Sequence, residues 1–365
     1  MQTSNFISSI WKFEEKKDAN SVHNIFRWYG KLPPELVSKL LSVYGFPGCR
    51  VLANFLGSGT VLVECQKRNI CCAGTDISPL SLLVSSVKTS PLNITNISQL
   101  TKSIIEKAKQ TFSNENIYNS GLYDPVKWYG NINAQKILAL KHEITKVSDT
   151  RMKQVLEVSL LSILRDCSYV DSRCVNHIVV NKNKKTSEVF ECFDKAVGRI
   201  VESVKNLPAD NTATLTIKES SADDLKWCQD GVYDLIISHP PYLNAVNYYN
   251  IYRMCTDLMD KSYSDIRNKD FSAKNYAEYL KLMKGTFCEA YRVLKKGGRT
   301  AVIIGDVRYK GNILTLGADF ISLLKEIGFV IEDIFIWVTE QKAGMSVTRR
   351  GNFIDHNYII IAKKA

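Results

Sequence analysis

The stretch His239-Pro240-Pro241-Tyr242 is the part of this sequence with the clearest chemical capacity. Proline has no amide proton, so the backbone there is stiff and its carbonyls are acceptors without a neighbouring donor. Tyr242 offers a flat stacking face, and an unprotonated imidazole at His239 can accept a hydrogen bond. Such parts could hold a planar base and accept from its exocyclic amino group; the plainer alternative is a proline-rich loop with a surface tyrosine. Upstream, Phe55-Leu56-Gly57-Ser58-Gly59-Thr60 puts two glycines after an apolar run, where a backbone can turn sharply and come close to a ligand. No lysine follows them, which disfavours a phosphate loop and leaves a ligand turn or a plain tight turn. Asp76 ends the next apolar run, where an acid can accept hydrogen bonds from a ribose diol or simply cap a turn before Pro79.

These residues need a scaffold that brings strand ends together. Residues 50–56 read as a buried strand, Val61 to Lys67 as a helix and Ile70 to Asp76 as a second strand. Strand, glycine turn, helix, strand and acid is the opening of a doubly wound α/β sheet. A helix is expected from Pro33-Pro34, with Pro pre-set for the first turn and Glu35 at the dipole's positive end. Later strands are expected at 214–218, 233–237, 300–304, 329–338 and 356–363, with helices at 274–294 and 316–327. Residues 90–210 change character: they are rich in Lys, Asn and Ser, with helical patterns at 131–147, 150–166 and 186–206 and a weak strand signal from Cys174 to Val180. The expected division is therefore a catalytic domain, 1–89 with 211–365, and a mostly helical insertion, 90–210. Residues 1–20 are polar and read as frayed or loosely docked.

The 365 residues are 45% hydrophobic and 23% charged, which excludes a disordered or collagen-like chain. No run of eighteen apolar residues exists, arguing against a membrane span. Trp11-Lys12-Phe13-Glu14-Glu15-Lys16-Lys17 stands where a signal peptide would be apolar, so a cytoplasmic location is expected. Forty-eight basic against 37 acidic residues, a net +11, favours a polyanionic partner. The insertion is not specially basic, with 17 basic and 13 acidic residues over 101–210; Lys182, Lys184 and Lys185 form its one compact positive spot. The ten cysteines include no CxxC pair, and Cys167, Cys174 and His177 lack a fourth ligand at a usual spacing, so buried thiols and no metal are expected.

In order along the chain, these motifs resemble those of S-adenosylmethionine-dependent amino-methyltransferases of DNA. The nearest group is the bacterial site-specific cytosine-N4 enzymes of restriction–modification type. His23 to Val37, with Tyr29, Lys31 and Pro34, is similar to that group's segment at the methionine end of the cofactor. Asn54 to Thr60, including Phe55, Gly57, Gly59 and Thr60, resembles its cofactor loop; Asp76 with Ile77 matches its ribose-binding acid; Ser221-Ala222-Asp223 resembles the segment against the adenine. Pro240 to Asn244 resembles the catalytic motif, and Tyr291 to Gly298 and Gly305 to Arg308 match later sheet motifs. Leu160 to Ser168, with Arg165, looks like a helical stretch of the group's insertion.

The resemblance implies a doubly wound, mostly parallel class I methyltransferase (Rossmann-like) sheet, S-adenosylmethionine as cofactor, and methylation of a flipped base in double-stranded DNA. His239, Pro240, Pro241 and Tyr242 would be catalytic. Asn244, Arg165, Arg173, Lys182, Lys184 and Lys185 are the candidates for nucleic-acid contact, and a cognate restriction endonuclease is a possible partner. The sequence departs from the group at Ala53-Asn54-Phe55, where Asp-Pro-Phe is usual, and at His239, where cytosine-N4 enzymes commonly have Ser and adenine-N6 enzymes Asp or Asn. Adenine N6, or guanine N2 in tRNA or rRNA, are alternative targets, and a non-catalytic nucleic-acid binder with a relict cofactor site is the alternative outside the enzymes. No Pro-Cys dipeptide occurs, which argues against cytosine-C5 chemistry.

Overall fold

A computed structural model describes residues 8–13, 21–90, 96–114, 125–171, 178–205, 207–208, 212–243, 248–260, 275–338 and 356–365. The strands are β1 (Ser9–Lys12), β2 (Arg50–Ala53), β3 (Cys71–Asp76), β4 (Leu215–Glu219), β5 (Tyr233–Ser238), β6 (Leu294–Ile304), β7 (Val307–Tyr309), β8 (Asn312–Leu314), β9 (Phe329–Val338) and β10 (His356–Lys364). The helices are α1 (Pro34–Tyr44), α2 (Thr60–Gln66), α3 (Pro79–Thr89), α4 (Ile97–Asn114), α5 (Pro125–Thr145), α6 (Thr150–Ile163), α7 (Val189–Lys205), α8 (Tyr248–Leu258), α9 (Tyr276–Val293) and α10 (Leu316–Ile327).

Eight strands form one sheet in the order β1-β9-β10-β6-β5-β2-β3-β4. The run β6-β5-β2-β3-β4 is parallel, and β10 enters antiparallel between β6 and β9. This is the expected doubly wound α/β sheet, and its order reverses between β2 and β5. Alternation along the strands covers both faces. Leu52, Ile236, Val302 and Ile360 face a cluster with Phe287 and Phe320 of α9 and α10. Val51, Ile237, Ile303 and Ile359 face Leu36 and Leu40 of α1 and Leu62 of α2.

Two expectations need correction. The N-terminus is not loosely docked throughout: β1 pairs in parallel with β9, and buried Trp11 stacks on Phe335 at 4.5 Å. β6 starts at Leu294 rather than Thr300, because its ladder with β5 shifts register between Tyr233 and Leu235 and absorbs Gly297-Gly298. In residues 90–210 the described elements are helical, and α4 is one helix more than the sequence pattern suggested. The weak strand signal near Val180 amounts to a single bridge from Val170 to Val180. Helices α4 to α7 share one apolar cluster with α3, α8 and the turn at Val22–Asn24.

Candidate active site

The strand order places the carboxyl ends of β2 and β5 side by side, the usual ligand-binding crevice of an open α/β sheet. A cavity opens there. Its walls include Asn54, Phe55 and Gly57 after β2, Asp76 and Ile77 at the end of β3, Ser220 and Ala222 after β4, and His239 and Pro241 after β5. Trp28, Lys31 and Leu32 close it from the N-terminal segment, and Tyr252 and Thr256 from α8.

The glycine turn is held by the acid. Gly57 N donates to Asp76 Oδ2 at 2.8 Å and Ser78 N to Oδ1 at 2.9 Å. Burial raises the Asp76 pKa against these amides, which favour the charged form. Each carboxylate oxygen has a second lone pair, so capping the turn does not exhaust its capacity to accept. Gly59 starts α2 at φ 77°, and a Cβ there would lie 2.6 Å from Ser85 Oγ of α3. Its role is thus to let α2 and α3 meet, and it does not line the cavity. Lys88, fully buried, donates to Ser58 O at 2.8 Å and His23 O at 3.3 Å, and burial lowers its pKa strongly. Lys31 donates to the same His23 carbonyl at 3.2 Å and to Asn24 Oδ1 at 2.8 Å, setting a cationic corner at the cavity wall.

At the β5 end, burial lowers the His239 pKa from 6.5 to about 4, so the ring is neutral near pH 7. Its Nε2 lies 3.3 Å from the Tyr242 hydroxyl, which donates to Asn357 Oδ1 at 2.8 Å. The diproline carbonyls differ from the expectation of two free acceptors. Pro241 O accepts from Tyr279 at 3.1 Å, while Pro240 O has no hydrogen bond among the described residues, and Pro240 itself is buried and does not line the cavity. Tyr242 is half-buried and does not line the cavity.

Of the residues singled out for the cofactor, Lys31, Asn54, Phe55, Gly57, Thr60, Asp76, Ile77 and Ala222 line the cavity. Tyr29, Pro34 and Gly59 do not line it, and Asp223 borders a separate surface hollow beside Arg292. Among the nucleic-acid candidates, Asn244 and Arg173 lie outside the described residues. Two others are engaged internally. Arg165 donates to Ile251 O at 3.1 Å, and the Lys184 ammonium to Arg165 O at 2.6 Å and Val170 O at 2.9 Å. Lys182 and Lys185 are exposed. Sequence reasoning missed Trp28, which stacks on Tyr252 at 4.7 Å beside the cavity. It also missed Thr256 and Asn357, which carry no motif.

The residues present fit S-adenosylmethionine. Asn54 is 1% exposed, and among the described residues neither its amide nitrogen nor its oxygen has a partner. A buried polar group without a partner costs about 1–3 kcal/mol, so this amide at the cavity wall is suited to a polar ligand. Asp76 can accept from a diol, Lys31 can meet a carboxylate, and Phe55, Ile77 and Ala222 supply apolar wall for a purine. Among the described residues no group of three His, Cys, Asp or Glu could hold a metal.

Residues 233–365 match the profile of a DNA methylase family. The type II methyltransferase M.BsoBI of Geobacillus stearothermophilus is 23% identical over an alignment covering 96% of this chain and 86% of that protein. M.AvaI of Nostoc sp., also a type II methyltransferase, is 23% identical over 88% of this chain and 82% of its own length. A solved SAM-dependent methyltransferase from Methanosarcina mazei is 12% identical, covers 89% of this chain and 96% of its own, and has a TM-score of 0.37; the fold assignment itself rests on the strand order. The family match over residues 233–365 and the type II methyltransferases aligned along most of the chain make this sequence similar to DNA amino-methyltransferases, and S-adenosylmethionine is the cofactor its cavity fits.

Proposed function

We propose that the protein is a site-specific DNA methyltransferase acting on the exocyclic amino nitrogen of a flipped base, with cytosine N4 as the target atom. One observation carries this reading: neutral His239 borders the same cavity as Asn54 and Asp76, so an acceptor for an amino group and the parts for the cofactor share one space. The choice of cytosine rests on the resemblance of the motifs.

Bound S-adenosylmethionine supplies an electrophilic methyl group. Asp76 would hold the ribose hydroxyls, Lys31 and Asn54 the methionine end, and Ala222 would lie against the adenine. The cytosine amino lone pair is delocalised into the ring and needs alignment more than it needs a strong base. His239 at the cavity wall, with Pro240 O behind it if the base reaches that far, would accept its N–H groups and turn the nitrogen toward the methyl; alignment and fixed dipoles of this kind can supply several kcal/mol. Transfer of the sulfonium methyl to this nitrogen would release the neutral thioether and leave an acidic N–H, whose proton water or the neutral His239 ring would accept. Extruding the base costs a few kcal/mol, offset by Lys and Arg contacts to phosphates. The net charge of +11 supports that partner. The insertion is the target-recognition region in this reading, with Lys182 and Lys185 its exposed cations. The protein would work in the cytoplasm beside a cognate endonuclease.

Mass spectrometry of nucleosides from DNA incubated with protein and S-adenosylmethionine tests the proposal. N4-methylcytosine supports it, and N6-methyladenine moves the target base. Methylated guanine in RNA alone, or tight cofactor binding with no methylated product, overturns it.

A further inference from the structure

The His239–Tyr242–Asn357 chain has a direction. A tyrosine hydroxyl has one proton. The Tyr242 hydroxyl gives it to Asn357 Oδ1 at 2.8 Å. Toward His239 the same oxygen can therefore only accept, across 3.3 Å, and the donor is the imidazole Nε2–H. A neutral imidazole carries one N–H, so a proton on Nε2 leaves Nδ1 with the lone pair.

The arrangement is built from three strand ends. His239 and Tyr242 follow β5, Asn357 lies near the start of β10, and Gly305 follows β6 between them. A Cβ at Gly305 would sit 2.4 Å from Asn357 Oδ1 and 3.2 Å from Tyr242 Cε2, so the absent side chain there makes room for the contact. Asn357 pairs with Trp337 in the β10–β9 ladder, which fixes its backbone. The imidazole and phenol rings meet edge to face at 89°, which holds the histidine plane.

We infer that Asn357 is a positioning residue: through Tyr242 it fixes His239 as the Nε2–H tautomer and so makes Nδ1 the hydrogen-bond acceptor for the target amino group. This rests on the proposed function for the identity of the group accepted, but not for the tautomer itself. It also gives Tyr242 a part that needs no stacking on the base. With the opposite tautomer, Nδ1 would carry the proton and meet an N–H with an N–H.

Nitrogen-15 NMR of the imidazoles in the full-length protein reads the tautomer directly, with His239→Gln identifying the His239 signals. The expected wild-type state is Nε2–H. Asn357→Ala removes the acceptor, so the Tyr242 hydroxyl turns its proton onto Nε2 and the ring changes to Nδ1–H. Methyl transfer to DNA then falls about 100-fold in kcat, the scale of a lost acid–base partner, with the KM for S-adenosylmethionine unchanged. Asn357→Asp keeps an acceptor and so keeps both tautomer and rate. Tyr242→Phe leaves the two tautomers in balance and loses less, and adding Asn357→Ala to it costs nothing further. A wild-type Nδ1–H ring, or a slow Asn357→Ala variant whose tautomer has not changed, overturns the inference. If the wild-type ring is Nε2–H and no DNA is methylated, the proposed function fails while the tautomer assignment stands.

Discussion

Replacing Asp76 with alanine separates the two roles that a carboxylate at this point can play. Its oxygens accept from Gly57 N at 2.8 Å and Ser78 N at 2.9 Å. Removing them leaves two amides without their partner, and an unsatisfied buried donor costs about 1–3 kcal/mol. The loss in folding stability should total about 2–4 kcal/mol, read as a lower urea midpoint. The ribose contacts are a separate quantity. Two hydrogen bonds to a charged acceptor, at about 1.5–3 kcal/mol each in isolation, should reduce cofactor affinity by about 30- to 150-fold once partial replacement by water is allowed for. Isothermal calorimetry with S-adenosylmethionine, at urea-free concentrations where the variant is folded, measures it. Asp76→Asn keeps one acceptor and should fall between wild type and alanine on both scales. An alanine variant that loses stability yet binds the cofactor as wild type does would reduce Asp76 to a turn cap and misplace the ribose.

Three other outcomes are expected. Gly59→Ala forces a left-handed φ on a residue whose Cβ would lie 2.6 Å from Ser85 Oγ and 2.9 Å from its Cβ; denaturation should show a loss of about 2–4 kcal/mol, only partly relieved by Ser85→Ala. Burial lowers the pKa of both His23 and His239 from 6.5 to about 4, with Glu64 opposing the shift at His23. The unfolded chain therefore binds more protons through that window, so stability is full above about pH 6.5 and declines toward pH 4; urea midpoints across the range should follow that sign. Methyl transfer should likewise hold its rate below pH 6.5, where an ordinary imidazole would already be protonated. Lys182→Ala with Lys185→Ala should make the salt dependence of DNA affinity shallower by about 2 in logarithmic slope. Lys184→Ala should instead cost about 1–3 kcal/mol of stability and leave that slope alone, since its ammonium is held by two carbonyls.

The alternating apolar strands and the glycine turn were legible because they follow local periodicity and backbone freedom. Helix α4 was less so: Ile97, Ile104, Ile105 and Ala108 are buried at helical spacing, but the Lys, Ser and Gln between them dilute the pattern. β1 was missed because four residues of edge strand carry little signal until β9, more than 300 residues away, supplies their partner. The site divides the same way. Asp76 and His239 stand at strand ends that the sequence marks, and both border the cavity. Asn357, Tyr252 and Thr256 lie on elements whose position relative to β5 only the folded sheet determines. Charge type alone could not tell Lys184, turned inward, from Lys182 and Lys185, turned out.

Helix α8 belongs to two neighbourhoods. Tyr252 and Thr256 wall the cavity, while Ile251, Met254, Cys255 and Leu258 are sunk among the apolar side chains of the helices between β3 and β4. Close-packed interiors transmit displacement rather than absorbing it. A duplex that shifts those helices must therefore carry the cavity wall along or open a void beneath it. If the proposed function holds, discrimination between DNA sequences can then reside in turnover as well as in grip: a wrong site held firmly would still go unmodified because the wall never settles around the reactants.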